Sequence, residues 1–87
     1  MTYKKPVHVM VRQVGDECLL QNTESERYFS LNQVGNGFYT RIIDGVDVAD
    51  AVSQIAAEYA VGEEAVSADC NRLLEELIKR DLIEQAA

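Results

Sequence analysis

Hydrophobic positions follow two regimes along this chain: up to residue 31 they tend to alternate with polar ones, and beyond it they recur every three or four residues. In Val7-His8-Val9-Met10-Val11-Arg12 the β-branched residues Val7, Val9 and Val11 fall on one face of a first strand. Gly15-Asp16 supplies a tight turn, because glycine takes positive φ at little cost, and Glu17-Cys18-Leu19-Leu20-Gln21 returns as a second strand. The polar cluster Asn22-Thr23-Glu24-Ser25-Glu26 reverses the chain again into Arg27-Tyr28-Phe29-Ser30-Leu31, a third strand rich in aromatic residues. The pattern predicts a three-stranded antiparallel meander.

At Leu31-Asn32 the period changes. Asn32 is a good N-cap, Leu31 precedes it as an apolar staple, and Val34, Phe38 and Ile42 recur every four residues, so a first helix runs to about Asp44. Gly45 suits the left-handed position that ends it, whereas Gly35 and Gly37 lie inside it and cost about 1 kcal/mol each relative to alanine. Close packing of helix against sheet is the expected reason for them. Asp47 caps a second helix with the stripe Val48, Ala51, Val52, Ile55, Ala56 and Tyr59. A third follows Val61-Gly62, with Glu63 and Glu64 near the positive end of its dipole, Lys79 and Arg80 near the other, and Val66, Cys70, Leu73, Leu74, Leu77 and Ile78 as its apolar positions. Leu82 and Ile83 are expected to fold back on the core, leaving Glu84 to Ala87 as a frayed tail.

The expected architecture is therefore α+β: a three-stranded antiparallel sheet followed by a three-helix bundle, arranged like a winged helix-turn-helix. Eighty-seven residues, 47% of them hydrophobic, suit one domain over residues 1–87, with an ordered core of about residues 7–83. No apolar run is long enough to span a membrane, and Met1-Thr2-Tyr3-Lys4-Lys5-Pro6 leads into no hydrophobic secretion signal, so a cytoplasmic protein without a membrane partner is expected. Fifteen acidic against eight basic side chains, a net charge of −7, disfavour nucleic acid as a partner. Cys18 and Cys70 form no Cys-x-x-Cys motif and read as small buried packing residues; His8, the one histidine, has no acidic or thiol neighbour at ligand spacing and reads as a polar strand residue. No metal site, disulfide framework or cofactor is expected.

Catalysis finds no support in the residue pattern. A nucleophilic triad needs a hydroxyl or thiol beside an oriented base, and His8 stands alone on a short strand. Glu63-Glu64 and Glu75-Glu76 are adjacent in sequence, so on a helix their side chains diverge by about 100°. A non-catalytic protein is expected.

Binding remains, and the order of elements suggests where. The third strand, Arg27 to Leu31, lies last in the meander and is a candidate edge with unpaired N–H and C=O groups, to which an extended peptide could add. The third helix is the plausible wall of a side-chain pocket beside it. The alternative is that the chain covers its own edge and that Tyr28, Phe29, Leu73 and Leu77 simply fill the core.

The stretch Gly15-Asp16-Glu17-Cys18-Leu19-Leu20-Gln21-Asn22, followed by Arg27-Tyr28-Phe29-Ser30-Leu31-Asn32-Gln33-Val34-Gly35, resembles the PqqD-like pattern of a hairpin, an aromatic strand and a Leu-Asn-x-x-Gly entry into the first helix. Ile42-Ile43-Asp44-Gly45, the Ile55 to Tyr59 segment and Asp69 through Leu82 resemble the remaining helices of that family, and the likeness runs from about Val7 to Ile83. The resemblance implies recognition of the leader peptide of a ribosomally made precursor and its presentation to a separate maturation enzyme, a leader peptidase or a modifying enzyme. It points most closely to the free-standing leader-binding proteins of lasso-peptide clusters. Members of the pyrroloquinoline quinone pathway usually carry a proline-containing segment before the Leu-Asn pair, which Ser25 to Ser30 lacks, and the family often ends its third helix in glycine where this chain has Asp81.

By position, Arg27, Tyr28, Phe29, Ser30 and Leu31 would supply the pairing edge, and Cys70, Leu73, Leu74 and Leu77 the apolar wall, with some of these in the core instead. Asp69, Arg72 and Glu76 would form a polar rim, or else a solvated helix face. Strand alternation allows only one of Tyr28 and Phe29 to face the groove. Two other classes stand beside this reading: a winged-helix DNA reader, opposed by Glu63, Glu64, Asp69, Glu75 and Glu76 on the reading helix, and a module that dimerises through the free edge.

Overall fold

The computed structural model describes residues 2–86. Strands β1 (Tyr3–Lys4), β2 (Val9–Val14), β3 (Glu17–Asn22) and β4 (Arg27–Leu31) precede helices α1 (Gln33–Ile43), α2 (Val48–Tyr59) and α3 (Glu63–Lys79), and β5 (Glu84–Gln85) ends the order. The fold is α+β, with β2, β3 and β4 forming an antiparallel sheet in that order, α1 packed against it, and α2 and α3 packed against α1 and each other.

The β2–β3 turn is made by Gly15 at φ 63° with Asp16, which sets Val14 opposite Glu17. In the longer β3–β4 loop the Asn22 side chain accepts from the backbone N–H groups of Glu24 (3.0 Å) and Ser25 (3.2 Å). These bonds hold the reversal locally, in the manner of an Asx turn. The pairing Cys18↔Leu31, Leu20↔Phe29 and Asn22↔Arg27 places those residues on the helix-facing side, where Cys18, Leu20 and Leu31 are buried.

Helix boundaries follow local chemistry. The Asn32 carboxamide accepts from the Gly35 N–H at 2.8 Å to open α1, Gly45 at φ 98° turns the chain after it, and Asp47 accepts from the Ala49 N–H at 3.2 Å to open α2. Side chains of Leu20, Phe38, Tyr39, Ile42, Ile55 and Leu77 meet in the core, where the Tyr39 hydroxyl donates to the Leu82 carbonyl at 2.9 Å. Burial raises the Tyr39 phenol above its ordinary range, so it remains a donor.

Five expectations need correction. Val7 does not join Val9 and Val11 on a strand face; it sits in a turn closed by the Val9 N–H on the Pro6 carbonyl (3.1 Å) and is 99% exposed. Ile78 is likewise exposed, because the last turn of α3 rotates it away from the core that takes Leu77. Glu84 and Gln85 are not a frayed tail, and order begins before residue 7. Burial of Leu82 and Ile83 carries the following residues alongside β1, in the register Tyr3↔Gln85 and Lys4↔Glu84, and Tyr3 becomes part of the core. Ala87 lies outside the described residues. Gly37 does not serve helix–sheet packing: a Cβ there would come within 3.0 Å of Arg41 Nη1, which donates to the Gly37 carbonyl.

Candidate functional site

Among the described residues β4 pairs only with β3, so its other side is a free edge. Along it Phe29 is half-buried and Leu31 buried on the helix-facing side, whereas Tyr28 and Ser30 point outward. Phe29, then, is the aromatic residue of β4 that faces the helices.

A cleft of about 320 Å³ lies between the end of β4, the first turn of α1 and the middle of α3. Ser30 and Leu31 contribute from the strand, Asn32, Val34 and Gly35 from the helix entry, and Asp69, Cys70 and Leu73 from α3. Asp69 and Leu73 lie one turn apart, so both reach the same side of that helix. Gly35 keeps the floor open: a Cβ there would lie 3.3 Å from Asn32 Oδ1, 3.4 Å from Leu73 Cδ2 and 3.5 Å from Leu31 Cδ2. Toward the end of α3 the guanidinium carbon of Arg80 stands 5.0 Å from the centre of the Phe29 ring, while Arg80 Nε donates to Glu76 Oε2 at 3.0 Å. A cation over an aromatic face contributes about 0.5–1 kcal/mol at such a partly exposed site.

The expected site residues divide. Ser30, Leu31, Asp69, Cys70 and Leu73 meet at the cleft. Arg27 and Phe29 continue the same side of the strand toward the β3–β4 loop, and Tyr28 projects from the opposite side. Leu77 is fully buried and belongs to the core rather than a groove wall; Leu74 packs against that core and does not line the cleft. Arg72 pairs with Asp69, and Glu76 with Arg80, so these three rim residues are engaged with neighbours along α3. Asn32, Val34 and Gly35 were not expected in the site. Their signal is the Leu-Asn-x-x-Gly stretch; the expected packing of Gly35 against the sheet is met at Leu31, and its other close neighbours are the Asn32 cap and Leu73 of α3.

Burial, with the Asp69 charge beside it, pushes the Cys70 thiol up to about 11, so the sulfur is a small apolar surface and not a thiolate nucleophile. Cys18, also buried and free, has its pKa raised by burial. A second cavity of about 610 Å³ lies between the starts of α2 and α3, lined by Asp47, Val48, Ala49, Val52, Glu63, Glu64, Ser67 and Asn71. It has no strand edge, and its carboxylates stand at helix N-termini where the dipole favours them.

His8 departs from its expected role. It precedes β2, and tertiary folding brings acidic partners to it: Nε2 lies 2.9 Å from the Asp81 carbonyl oxygen and 3.1 Å from Asp81 Oδ2, and Nδ1 lies 3.9 Å from Glu24 Oε1. The two carboxylates approach opposite ring nitrogens, an arrangement that suits an imidazolium with two N–H donors better than convergence on one metal ion.

No curated protein matches the sequence. A solved structure described as TbiB1 in complex with the TbiA(beta) leader peptide superposes with a TM-score of 0.86 at 28% identity, over 97% of this chain and 98% of that one. Another, lasso peptide synthetase B1 complexed with the leader peptide, gives a TM-score of 0.87 at 21% identity, over 98% of this chain and 100% of that one, and so shares the fold. The family model described as Coenzyme PQQ synthesis protein D (PqqD) matches residues 17–83, most of the sheet and all three helices, and the chain belongs to that family.

Proposed function

We propose that this protein binds the leader segment of a ribosomally made precursor peptide by strand addition to β4 and delivers it to a separate maturation enzyme, in the setting of lasso-peptide biosynthesis. One observation carries the reading: the free edge of β4 borders an apolar cleft walled by α3. An added strand would take affinity from main-chain hydrogen bonds along Arg27–Leu31 and selectivity from a side chain lodged among Leu31, Cys70 and Leu73. The leader complexes named for the two structural neighbours favour the same occupant.

In this reading residues 1–87 act as one non-catalytic unit in the cytoplasm, with a winged-helix-like order of elements used for peptide rather than DNA. Its contribution is effective concentration, because a precursor held beside its enzyme reacts in a nearly intramolecular encounter. No helix among the described residues is long and apolar enough to cross a membrane.

The test is an amide-resolved NMR titration with the leader peptide encoded beside the gene and a scrambled control. Shifts along Arg27–Leu31 and from Asp69 to Leu73 support strand addition at the cleft. Absence of shifts at millimolar peptide, together with concentration-dependent sedimentation, would instead assign the edge to dimerisation.

A further inference from the structure

The cleft lies between two elements that no regular hydrogen bonding joins, β4 and α3, so something has to set their separation. At the end where Arg80 covers Phe29, three segments meet: the turn before β2, the β3–β4 loop and the residues that follow α3. Asn22, a polar residue only 7% exposed, belongs to β3 and donates from Nδ2 to the Arg80 carbonyl (3.4 Å) while its Oδ1 holds the loop. The Thr23 hydroxyl and N–H both donate to the His8 carbonyl at 2.8 Å. The His8 ring, 17% exposed, then reaches from this loop to Asp81.

Asp81 sits at φ 58°, a left-handed conformation in which glycine is easier to accommodate. Backbone preference therefore does not explain an aspartate here, whereas its carboxylate lies 3.1 Å from His8 Nε2. The strained residue supplies an electrostatic contact that glycine could not.

We infer that His8 and Asp81, with Asn22, are positioning residues of the peptide groove: they clamp the end of α3 to the β3–β4 loop and so hold Arg80 over Phe29 without touching the peptide. The peptide arm of this inference rests on the function proposed above; the clamp itself does not.

Charge makes the clamp sensitive to pH. Facing His8 are Asp81 from the end of α3, Glu24 from the β3–β4 loop and Glu84 from β5, the last also 3.7 Å from Lys4 Nζ. The Asp81 backbone hydrogen bond, followed by the Asp81, Glu24 and Glu84 charges, raises the His8 pKa above 6.5 against an opposing effect of burial. A protonated ring can donate to Asp81 and Glu24 together, and a neutral ring to only one of them.

The experiment follows the isolated, isotopically labelled full chain by NMR from pH 5.5 to 8.5, reading the His8 ring, the Phe29 ring and Arg80 Nε–H. The expected result is that the Phe29 and Arg80 signals move with the same apparent pKa as His8. The variant Asp81→Gly separates positioning from folding, because it relieves the left-handed strain while removing the carboxylate. It should remain folded and keep the His8 bond to the backbone carbonyl of residue 81, yet show a markedly smaller coupled movement of Phe29 and Arg80. Flat Phe29 and Arg80 signals across the wild-type His8 titration, or coupled movement undiminished in Asp81→Gly, would overturn the clamp. In a second arm, leader-peptide affinity of the wild type should fall about fivefold between pH 6 and pH 8, at the low end of typical coupling between sites, and that of Asp81→Gly should stay weak and flat. A peptide that binds neither protein at any pH counts against the proposed function, while the peptide-free titration still decides the clamp.

Discussion

The sheet has two outer strands, β2 and β4, and among the described residues neither has a partner on its outer side. What lies beside each differs. On β2 the first residue is tucked into the core, and the Lys5 ammonium donates to the Val9 carbonyl at 2.8 Å. Toward the other end the Gln13 and Asn36 carboxamides exchange two hydrogen bonds, of 3.2 and 2.8 Å, across to α1. Met10, Val11 and Arg12 help to outline only a small depression of about 120 Å³, which runs across the sheet to Leu19, Gln21 and Tyr28. Beside β4 the chain leaves a larger cleft, of about 320 Å³, with Leu31, Cys70 and Leu73 in its wall and Gly35 beneath them. Unpaired backbone groups make a strand available for pairing; a receptor also needs somewhere for alternate side chains to go.

Substitutions can break or sharpen this contrast. The largest effect is expected from Phe38→Ala, which removes core volume beneath both edges: about 3–5 kcal/mol of stability should be lost in urea denaturation, with no selectivity between β2 and β4. Leu73→Glu should act on the β4 side alone. A drop in leader-peptide affinity of tenfold or more, about 1.4 kcal/mol per factor of ten, is expected by fluorescence anisotropy. Retained affinity in that variant would move the binding surface away from the cleft.

Asn32→Ala removes the cap that opens α1 and orients Gly35, and should lower stability by about 1 kcal/mol, measurable in the same urea assay. The pH dependence of stability is smaller. Because the folded-state pKa of His8 is raised above 6.5, its stabilisation is fully present below pH 6.5 and is lost as the pH rises through the raised value. Thermal melts should show Tm drifting down over that window in the wild type, and His8→Gln should remove this drift. The smallest effect is expected on the other edge: Gln13→Ala should change stability by no more than about 0.5 kcal/mol and leave peptide affinity unaltered. A clear affinity loss there would mean that β2, and not β4, is the pairing edge.

Most of the elements were legible because their signals are local. Asn32 and Asp47 carry the polar atoms that satisfy their own helix N-termini, Gly45 takes the left-handed turn it is suited to, and the Arg27–Leu31 strand has the predicted bounds. Errors arose where a residue's environment comes from elsewhere in the chain. Leu77 and Leu73 lie one turn apart and are both leucine, yet one fills the core and the other lines the cleft, a difference set by the elements packed around α3 and not by the helix itself. Val7 alternates correctly with Val9 and Val11, but Pro6 turns the chain before it can pair.

The amino-acid order by itself therefore determined the succession of strands and helices, the caps that bound the helices, and β4 as a candidate edge, since each depends on periodicity or on contacts a few residues apart. Tertiary structure alone decided that Phe29 rather than Tyr28 faces the helices, that Gly35 floors the cleft, that β1 pairs with β5, and that His8 lies between Asp81 and Glu24. Those features join residues as many as 82 positions apart, as Tyr3 and Gln85 are. Such distances close only when the buried apolar side chains collapse into one core, and the free energy that closes them belongs to that core as a whole, not to the short motifs that can be read along the chain.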